Sequence, residues 1–416
     1  MTKRRVVVTG MGCLSPYGLG VDVFWENIKN GKSGIKEHLL DKDQHPVKVA
    51  GYVPEDIDFS NYVDIKELKR YEKCMIYAIV ATKEALIDSG LDLTKEDTGR
   101  IGTIVSSAAS GLITVTQSYQ EMMKRGFHKC SPFTVPMMIG NMVSGLVSLK
   151  FGLNGPSKCV LSACATGSHS IGDAFRTIQY GDADMMVAGG SESSVNDFGI
   201  GAFTSARTLS KSTRPPEEVS RPYDKDRDGF VLSEGGAVLV LEEREHALKR
   251  GAKIYAEIIG YGQSSDAYDM VAPDPNGKGA ILAIENCLKD GNKKEEAIDY
   301  INLHGTGTHI GDVAEAKAVA KVFGDTSTNH RLSVSSTKSM TGHMLGAAGS
   351  AEAIVVIKAL QEDIVPPTIN LDNLDEEIPP LDFVPHKAKH KIVNTALSNS
   401  FGFGGHNAVL MFEKAK

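Results

Sequence analysis

Short apolar runs that end in glycine or small polar residues alternate with longer amphipathic segments along most of the chain. Runs rich in β-branched residues and bounded by turn residues are typical of buried strands, and apolar positions with helical spacing are typical of helices that cover them. We predict strands at 4–10, 100–107, 157–164, 183–190, 236–243 and 252–262, and helices at 75–90, 168–181 and 279–291. Continuously apolar strands between helices favour an α/β fold with a sheet that is rich in parallel strands and covered on both faces.

Two segments of the chain follow one plan of strand, turn and helix. In "VLSACATGSHSIGDAF" (160–175) the turn carries Cys164, and in "SVSSTKSMTGHMLGAAG" (333–349) it carries Lys338 and His343. A repeated unit of this kind predicts two related halves. Their two turns would then meet at one shared site.

Composition adds little to the fold but excludes several classes of function. The 416-residue chain is 41% hydrophobic and 23% charged with a formal charge of -7, so it lacks the basic bias of nucleic-acid binders. The apolar stretch before Gly10 is short for a secretory signal, and no apolar run reaches the roughly 18 residues of a membrane span. The six cysteines lack zinc spacing, which predicts reduced thiols, a cytoplasmic location and no metal site.

Cys164 stands between small residues at the predicted start of a helix. Unpaired N–H groups and the helix dipole at such a position would lower the pKa of the thiol and favour a nucleophile. The alternative is a buried structural thiol at a crowded corner. His169 is an unsuitable partner, because five residues along a helix separate two side chains by about 140°. A catalytic histidine should therefore come from another part of the chain.

Two histidines and a glycine-rich stretch are candidates for the rest of the site. His304 in "HGTGT" and His343 in "TKSMTGH" lie in loops of small residues that leave room for a substrate. The stretch "NSFGFGGHN" (399–407) offers backbone N–H groups for an oxyanion and an aromatic side chain that can move. The motif at 10–18 does not fit a dinucleotide fingerprint, because its third glycine falls in the wrong place. The motif at 224–235 does not fit an EF-hand loop, because the acid required at its twelfth position is one residue too early.

The combination of "ACATG", "HGTGT", "SSTKSMTGH" and "NSFGFGGHN" resembles the β-ketoacyl-acyl carrier protein synthases, and in particular their elongating synthase II type. The resemblance covers essentially the whole chain. It implies the thiolase fold, an α/β fold of two duplicated halves in a five-layered αβαβα arrangement. Residues 1–251 would form the N-terminal half with the nucleophile, and residues 252–416 the C-terminal half with two catalytic histidines. It also implies a homodimer, and a heterodimer with a related subunit stays open.

The chemistry implied by this resemblance is a decarboxylative Claisen condensation. Cys164 would accept an acyl chain from the phosphopantetheine of acyl carrier protein, and malonyl-carrier protein would lose carbon dioxide to give an enolate that attacks the acyl group. His304 and His343 would donate hydrogen bonds to the enolate oxygen, and the N–H groups of Cys164 and Phe403 would form the oxyanion hole. The reaction needs no cofactor beyond the carrier-bound substrates.

Other family positions concern support, substrate and docking. Lys338 would organise the site with an acid partner at Glu315. The pantetheine arm would contact Thr306 and Thr308, Phe403 would act as a gate, and the acyl pocket would involve Phe203, Phe401, Ala109 near its floor and Phe133 from the second subunit. An acidic carrier protein would dock on Lys66, Lys69, Arg70 and Arg207, for which an ordinary solvated surface is the alternative.

The chain departs from the family pattern near the substrate. Asp269 and Val271 replace a histidine and a threonine, which removes one hydrogen bond to pantetheine, and Ala109 is smaller than the usual aliphatic residue. These departures keep open a type II polyketide or polyene ketosynthase that works with a partner subunit. A non-condensing chain-length subunit is disfavoured because Cys164 is present. A hydrolase is disfavoured because no water-activating acid accompanies the thiol.

Overall fold

The structure is a computed structural model that describes residues 3–37, 47–324 and 332–415. Its strands are β1 (Val6–Ser15), β2 (Gly18–Leu19), β3 (Lys36–Glu37), β4 (Val49–Ala50), β5 (Ile101–Ser106), β6 (Met185–Glu192), β7 (Gly235–Glu243), β8 (Ala256–Ser265), β9 (Tyr300–Asn302), β10 (Ser333–Ser335), β11 (Ile364–Val365), β12 (Lys389–His390), β13 (Thr395–Gly402) and β14 (His406–Lys414).

The α-helices are α1 (Val21–Lys29), α2 (Ile65–Leu68), α3 (Lys73–Asp88), α4 (Leu112–Arg125), α5 (Thr134–Met138), α6 (Met142–Phe151), α7 (Thr166–Tyr180), α8 (Asp197–Ser205), α9 (Pro216–Val219), α10 (Arg244–Lys249), α11 (Lys278–Asp290), α12 (His309–Phe323), α13 (Lys338–Thr341) and α14 (Ala348–Glu362). Single 3₁₀ turns span Phe59–Asn61, Thr98–Arg100, Phe127–Lys129, Ala163–Ala165, Glu295–Ala297 and Leu345–Ala347. Within the described ranges no helix has the length and apolar character needed to cross a membrane.

One mixed sheet runs through the protein in the order β10-β9-β13-β14-β8-β1-β7-β6-β5, with β2 added beside β1. Only β10–β9, β9–β13 and β5–β6 pair in parallel, and the other neighbours along this order are antiparallel. The prediction of a sheet rich in parallel strands is therefore wrong, because most neighbouring strands are antiparallel. Parallel pairing is confined to strands joined by crossover helices, whereas β13 and β14 are joined by a short hairpin, which forces them to run antiparallel.

The sheet consists of two duplicated halves. The orders β5-β6-β7-β1 and β9-β13-β14-β8 correspond strand for strand, and the halves join where Val6–Val8 of β1 pairs with 256–258 of β8. Helices α3 and α6 cover one half and α11 and α12 the other, while α7 and α14 lie between the halves and contact both. This is the five-layered thiolase fold expected from the sequence.

Most predicted elements are present, but the strand predicted at 157–164 is not. The other predicted strands correspond to β1, β5, β6, β7 and β8, and the helices to α3, α7 and α11. At 157–164 the pairing with β5 stops after the single bridge between Thr103 and Ser157. The Ser144 hydroxyl then intervenes: it accepts the N–H of Val105 and donates to the carbonyl of Lys158. A side chain of α6 thus takes the place of the backbone hydrogen bonds that would continue the pairing with β5.

The two central helices cross at a point of very close approach. A Cβ on Gly349 of α14 would lie 2.3 Å from Oγ and 2.8 Å from N of Ser168 in α7, and a Cβ on Gly167 would lie 2.8 Å from N of Ser350. Only residues without a side chain fit such a crossing. Because each helix follows a turn that carries candidate catalytic residues, this contact brings the two turns together.

We expect Gly349→Ala to destabilise the protein by about 1–3 kcal/mol, because the new methyl group must displace backbone of α7. Chemical denaturation monitored by circular dichroism measures the effect. Gly201→Ala in α8 is the matched control: nothing lies within 4 Å of its added Cβ, so the helix should gain up to about 1 kcal/mol. Equal stability of the two variants would contradict the close crossing.

Candidate active site

Cys164 lies at a sharp turn between the sheet and α7. Ala163 before it has a φ of 49°, in the left-handed region that residues with a side chain seldom adopt. The thiol is 7% exposed, and burial raises its pKa to about 12, against smaller lowering effects of Lys338 and of the N–H groups of Phe403 and Cys164. The lowered pKa expected from the helix terminus is therefore wrong: desolvation outweighs the amides, and the resting thiol is protonated.

The hairpin between β13 and β14 packs directly against this turn. A Cβ on Gly402 would lie 2.5 Å from the carbonyl oxygen of Ser162 and 3.1 Å from N of Cys164, so glycine permits the approach. The N–H groups of Phe403 and Cys164 both lie within hydrogen-bond reach of the thiol. The structure thus brings together the two amides that were predicted to form an oxyanion hole.

His304 follows β9 and faces the thiol's cavity as a neutral imidazole. Burial, followed by the charge of Lys338 and the proximity of His343, lowers the pKa of His304 well below its ordinary value. Nζ of Lys338 lies 3.4 Å from Nδ1 of His304. Because an ammonium group can only donate, Nδ1 acts as the acceptor and Nε2 carries the proton. His304 is therefore set up as a hydrogen-bond donor.

His343 is the second imidazole of the cavity. Its ring centroid lies 5.3 Å from that of His304, and the two rings are nearly perpendicular. The side chain is 2% exposed, and neither ring nitrogen has a hydrogen-bond partner among the described residues. Burial and then Lys338 lower the pKa of His343 well below its ordinary value. A buried polar group without a partner is costly, so its N–H is available for a substrate oxygen.

Lys338 pairs with Glu352 of α14, not with Glu315 as expected. Both side chains are almost fully buried, and Nζ of Lys338 donates directly to Oε1 of Glu352. Burial raises the pKa of Glu352, while the ammonium of Lys338 opposes that rise. The expected pairing fails because Glu315 is already occupied by other donors.

Glu315 braces the loop that carries His304. Its Oε1 accepts the N–H of His304 at 2.8 Å and the amide of Asn399 at 3.1 Å, and its Oε2 accepts the N–H of Gly305 at 2.7 Å and the hydroxyl of Tyr223 at 2.8 Å. Four donors satisfy the carboxylate. Glu315 therefore fixes the backbone around the histidine, and it also lies in the wall of the cavity.

Cys164, His304 and His343 line one cavity whose space, with its open mouth, is about 810 Å³. The cavity is also lined by four of the residues predicted to bind substrate and by the predicted gate residue: Thr306, Thr308, Phe203, Phe401 and Phe403. The hydroxyl oxygens of Thr306 and Thr308 lie 3.0 Å apart in its wall. The apolar wall near the thiol includes Phe203 and Phe230, whose ring centroids are 5.5 Å apart.

Two predicted pocket residues do not line this cavity within the single chain. Ala109 is half-buried in the loop before α4, so the expectation that it forms the pocket floor is not met by the described residues. Its neighbour Ala108 donates its N–H to the buried Glu192, which draws the loop away toward β6. Phe133 is 39% exposed on the surface, and its role in a second subunit stays a prediction.

The predicted docking residues are all exposed. Lys66, Lys69 and Arg70 lie on or just after the short helix α2, and Arg207 follows α8 with a φ of 59°. The guanidinium of Arg70 stacks 4.7 Å from the ring centroid of Phe133. The basic residues near α2 are thus continuous with the apolar surface that contains Phe133.

The two departures near the substrate have different surroundings. Asp269 is exposed and accepts the N–H groups of Val271 and Ala272 at 2.8 and 2.9 Å, which lower the pKa of its carboxyl. Val271 itself lines the cavity and is 44% exposed. Asp269 therefore shapes its own loop, and Val271 places an apolar group where a hydroxyl was expected.

Sequence reasoning missed Glu352, Phe230 and Tyr223. Glu352 is the only acid in the first three turns of the apolar helix α14, and such an isolated charge is a recognisable sign of a buried partner. Phe230 packs its ring against His343 with centroids 5.2 Å apart. Tyr223 immediately precedes the motif at 224–235, and its hydroxyl donates to Glu315.

Comparison with known proteins agrees with this geometry. Residues 3–247 match the model of the beta-ketoacyl synthase N-terminal domain, and residues 255–372 match the model of the beta-ketoacyl synthase C-terminal domain. The chain therefore belongs to the β-ketoacyl synthase family. Within it, the chain is similar to proteins named 3-oxoacyl-[acyl-carrier-protein] synthase 2, with 47% identity to that of Vibrio cholerae over all of both chains, and 45% to that of Coxiella burnetii over 100% of this chain and 99% of the relative.

Solved structures show the same fold. A beta-ketoacyl synthase from Burkholderia phymatum is 32% identical with a TM-score of 0.91, over 99% of this chain and all of the other. The ishigamide ketosynthase/chain length factor is 31% identical with a TM-score of 0.92 over all of both chains. A type II polyketide ketosynthase in complex with its acyl-carrier protein is 30% identical with a TM-score of 0.91, over 99% of this chain and all of the other.

We expect Lys338→Met to raise the pKa of His304, because the substitution removes a nearby positive charge that disfavours the imidazolium. In the unaltered protein His304 should stay neutral at the pH where an ordinary histidine, with a pKa of about 6.5, gains its proton. Histidine ring NMR against pH, with the signal assigned by its loss in His304→Gln, measures the shift. Lys358→Met in α14, whose lysine pairs with Glu362, is the control and should leave the titration unchanged. An unmoved midpoint in Lys338→Met would contradict the electrostatic role.

Proposed function

We propose that this protein is an elongating β-ketoacyl-acyl carrier protein synthase that extends fatty acyl chains by two carbons. The observation that carries the proposal is the convergence of a thiol, two neutral imidazoles and two backbone N–H groups in one largely apolar cavity. The similarity to proteins named 3-oxoacyl-[acyl-carrier-protein] synthase 2 supports the same reaction. The substrates are thioesters carried on the phosphopantetheine of acyl carrier protein.

The first half-reaction transfers an acyl group to Cys164. Because the resting thiol is protonated, loss of its proton accompanies attack on the thioester carbonyl. The sulfur–carbon bond forms, and the negative oxygen of the tetrahedral intermediate accepts hydrogen bonds from the N–H groups of Cys164 and Phe403. The carbon–sulfur bond to pantetheine then breaks, and the departing carrier thiol takes up the proton.

The second half-reaction joins two carbons to the acyl group. The malonyl carboxylate leaves as carbon dioxide, and its bonding electrons pass into an enolate whose oxygen accepts hydrogen bonds from His304 and His343. The enolate carbon attacks the carbonyl of acyl-Cys164. The sulfur leaves, regains a proton, and the β-ketoacyl chain departs on the carrier protein.

Lys338 has a supporting part in this scheme. Burial and then the charge of Lys338 hold the pKa of both histidines down, so that each stays a neutral donor as the enolate forms. Its hydrogen bond to Nδ1 of His304 selects the tautomer whose Nε2–H is a donor. A neutral donor stabilises the developing oxyanion without protonating it early.

The proposal includes an acidic carrier protein as partner, docked on Lys66, Lys69, Arg70 and Arg207. Their exposure and the stacking of Arg70 on Phe133 support it. It also includes a homodimer in the cytoplasm. Support for the dimer comes from large apolar side chains exposed over 115–139, which a second copy would cover: Val115, Tyr119, Met123, Phe127, Phe133, Val135, Met138 and Ile139. We also propose that the chain divides into its two halves after residue 251.

A type II polyketide or polyene ketosynthase is the second candidate. Solved structures of a type II polyketide ketosynthase and of the ishigamide ketosynthase/chain length factor share the fold at 30% and 31% identity. The higher identity of 45–47% to the synthase 2 relatives favours fatty acid elongation. We therefore expect the protein, purified alone, to extend saturated acyl primers by one malonyl unit, as read by intact mass of the carrier. Turnover only with a second subunit, or only with unsaturated or polyketide primers, would favour the second candidate.

We expect Cys164→Ala to lower condensation by more than about a thousandfold, because the acyl acceptor is lost. The measurement pairs product formation from acyl- and malonyl-carrier protein with intact mass of the enzyme after exposure to acyl-carrier protein. Cys159→Ala, which alters a half-buried thiol five residues away, is the control and should retain the acyl adduct. Retained turnover by Cys164→Ala would contradict the proposed mechanism.

A further inference from the structure

The turn that presents Cys164 is strained and needs outside support. Ala163 has a φ of 49°, and a residue with a side chain in this region costs on the order of 1–2 kcal/mol. Such conformations persist only where the surroundings fix them. The neighbouring residue Ser162, with φ −143° and ψ 44°, is the part of the turn that surrounding groups hold by hydrogen bonds.

Ser162 is held through all of its polar groups. Its N–H donates to the hydroxyl of Thr166 at 3.0 Å, its carbonyl accepts the N–H of Ala165 at 3.1 Å, and its hydroxyl bonds Nδ1 of His169 at 2.7 Å. The first two contacts lie within the turn itself. The bond to His169 ties the turn to a ring that packs against residues from the other half of the protein.

His169 is well suited to act as a fixed anchor. It is 7% exposed, and its ring packs edge-to-face against Tyr261 of β8 and His406 of β14, with centroids 6.2 and 6.5 Å away. Burial lowers the pKa of His169, so the ring stays neutral and keeps one donor and one acceptor nitrogen. A serine hydroxyl can donate or accept, so the bond survives in either tautomer.

The position of Ser162 affects both amides of the oxyanion hole. The N–H of Cys164 is two residues further along the same turn, and Gly402, which precedes Phe403, lies against the carbonyl of Ser162. We propose that His169 is a positioning residue, which through the Ser162 hydroxyl holds the turn that presents the Cys164 thiol and aligns the two N–H groups beside it. This inference rests on the proposed function for the role of Cys164 as acyl acceptor.

The test compares His169→Leu with His169→Asn, two side chains of nearly the same shape. The asparagine amide places a polar atom where Nδ1 stands and retains the bond to Ser162, whereas leucine removes it. Loss of a buried hydrogen bond that acts on a reacting group predicts acylation of Cys164 slowed about tenfold in His169→Leu, and by less than about threefold in His169→Asn. Acylation is followed by intact mass after mixing with acyl-carrier protein.

Decarboxylation of malonyl-carrier protein is the second readout, because it depends on His304 and His343, which His169 does not contact. It should stay within about twofold of the unaltered protein in both variants. Equal loss of both reactions in His169→Leu would indicate general damage and overturn the proposal, as would equal acylation by the two variants. Ser162→Ala removes the other end of the bond, and if His169→Leu fails to fold this variant must show the same selective slowing. Failure of the unaltered protein to become acylated would instead overturn the proposed function, and this inference with it.

Discussion

The buried ion pair between Lys338 and Glu352 is the constraint on which the active site depends. Burying a lone ammonium group would cost several kcal/mol, so the lysine can lie in the interior only because a carboxylate from α14 meets it. Once in place, its charge reaches three groups: it lowers the pKa of His304 and of His343 and opposes the rise in the pKa of Cys164. Burial is the larger cause of all three shifts; the cation adds to it at the two histidines and opposes it at the thiol.

The duplicated architecture explains how these groups come together. In each half, a chain segment beside the sheet is followed by a turn and then by a central helix, which is α7 in one half and α14 in the other. The glycines at the helix crossing let the two turns approach, one carrying the thiol and the other the lysine and a histidine. The remaining histidine comes from the loop after β9, which α12 braces through Glu315. The cavity is thus built at the seam between two copies of one plan.

Sequence reasoning located the candidate catalytic residues better than the residues that hold them in place. Cys164, His304 and His343 stand in small-residue turns whose local pattern is visible along the chain. The acid partner of Lys338 was misassigned because Glu315 and Glu352 both lie on buried helices, and only the tertiary fold shows which carboxylate is already filled by other donors. The raised pKa of Cys164 was missed for a similar reason: a helix terminus can be read from sequence, but the depth of burial cannot. The strand expected at 157–164 is absent because a hydroxyl from a separate helix interrupts its pairing.

The protonated state of the buried thiol also affects how readily Cys164 is oxidised or alkylated. Oxidation and alkylation of cysteine proceed through the thiolate and require access. Cys164 is 7% exposed and its proton is held by a pKa of about 12, so between turnovers it offers little thiolate to peroxides or electrophiles. The same desolvation that keeps the proton on the thiol therefore also protects Cys164 from irreversible oxidation.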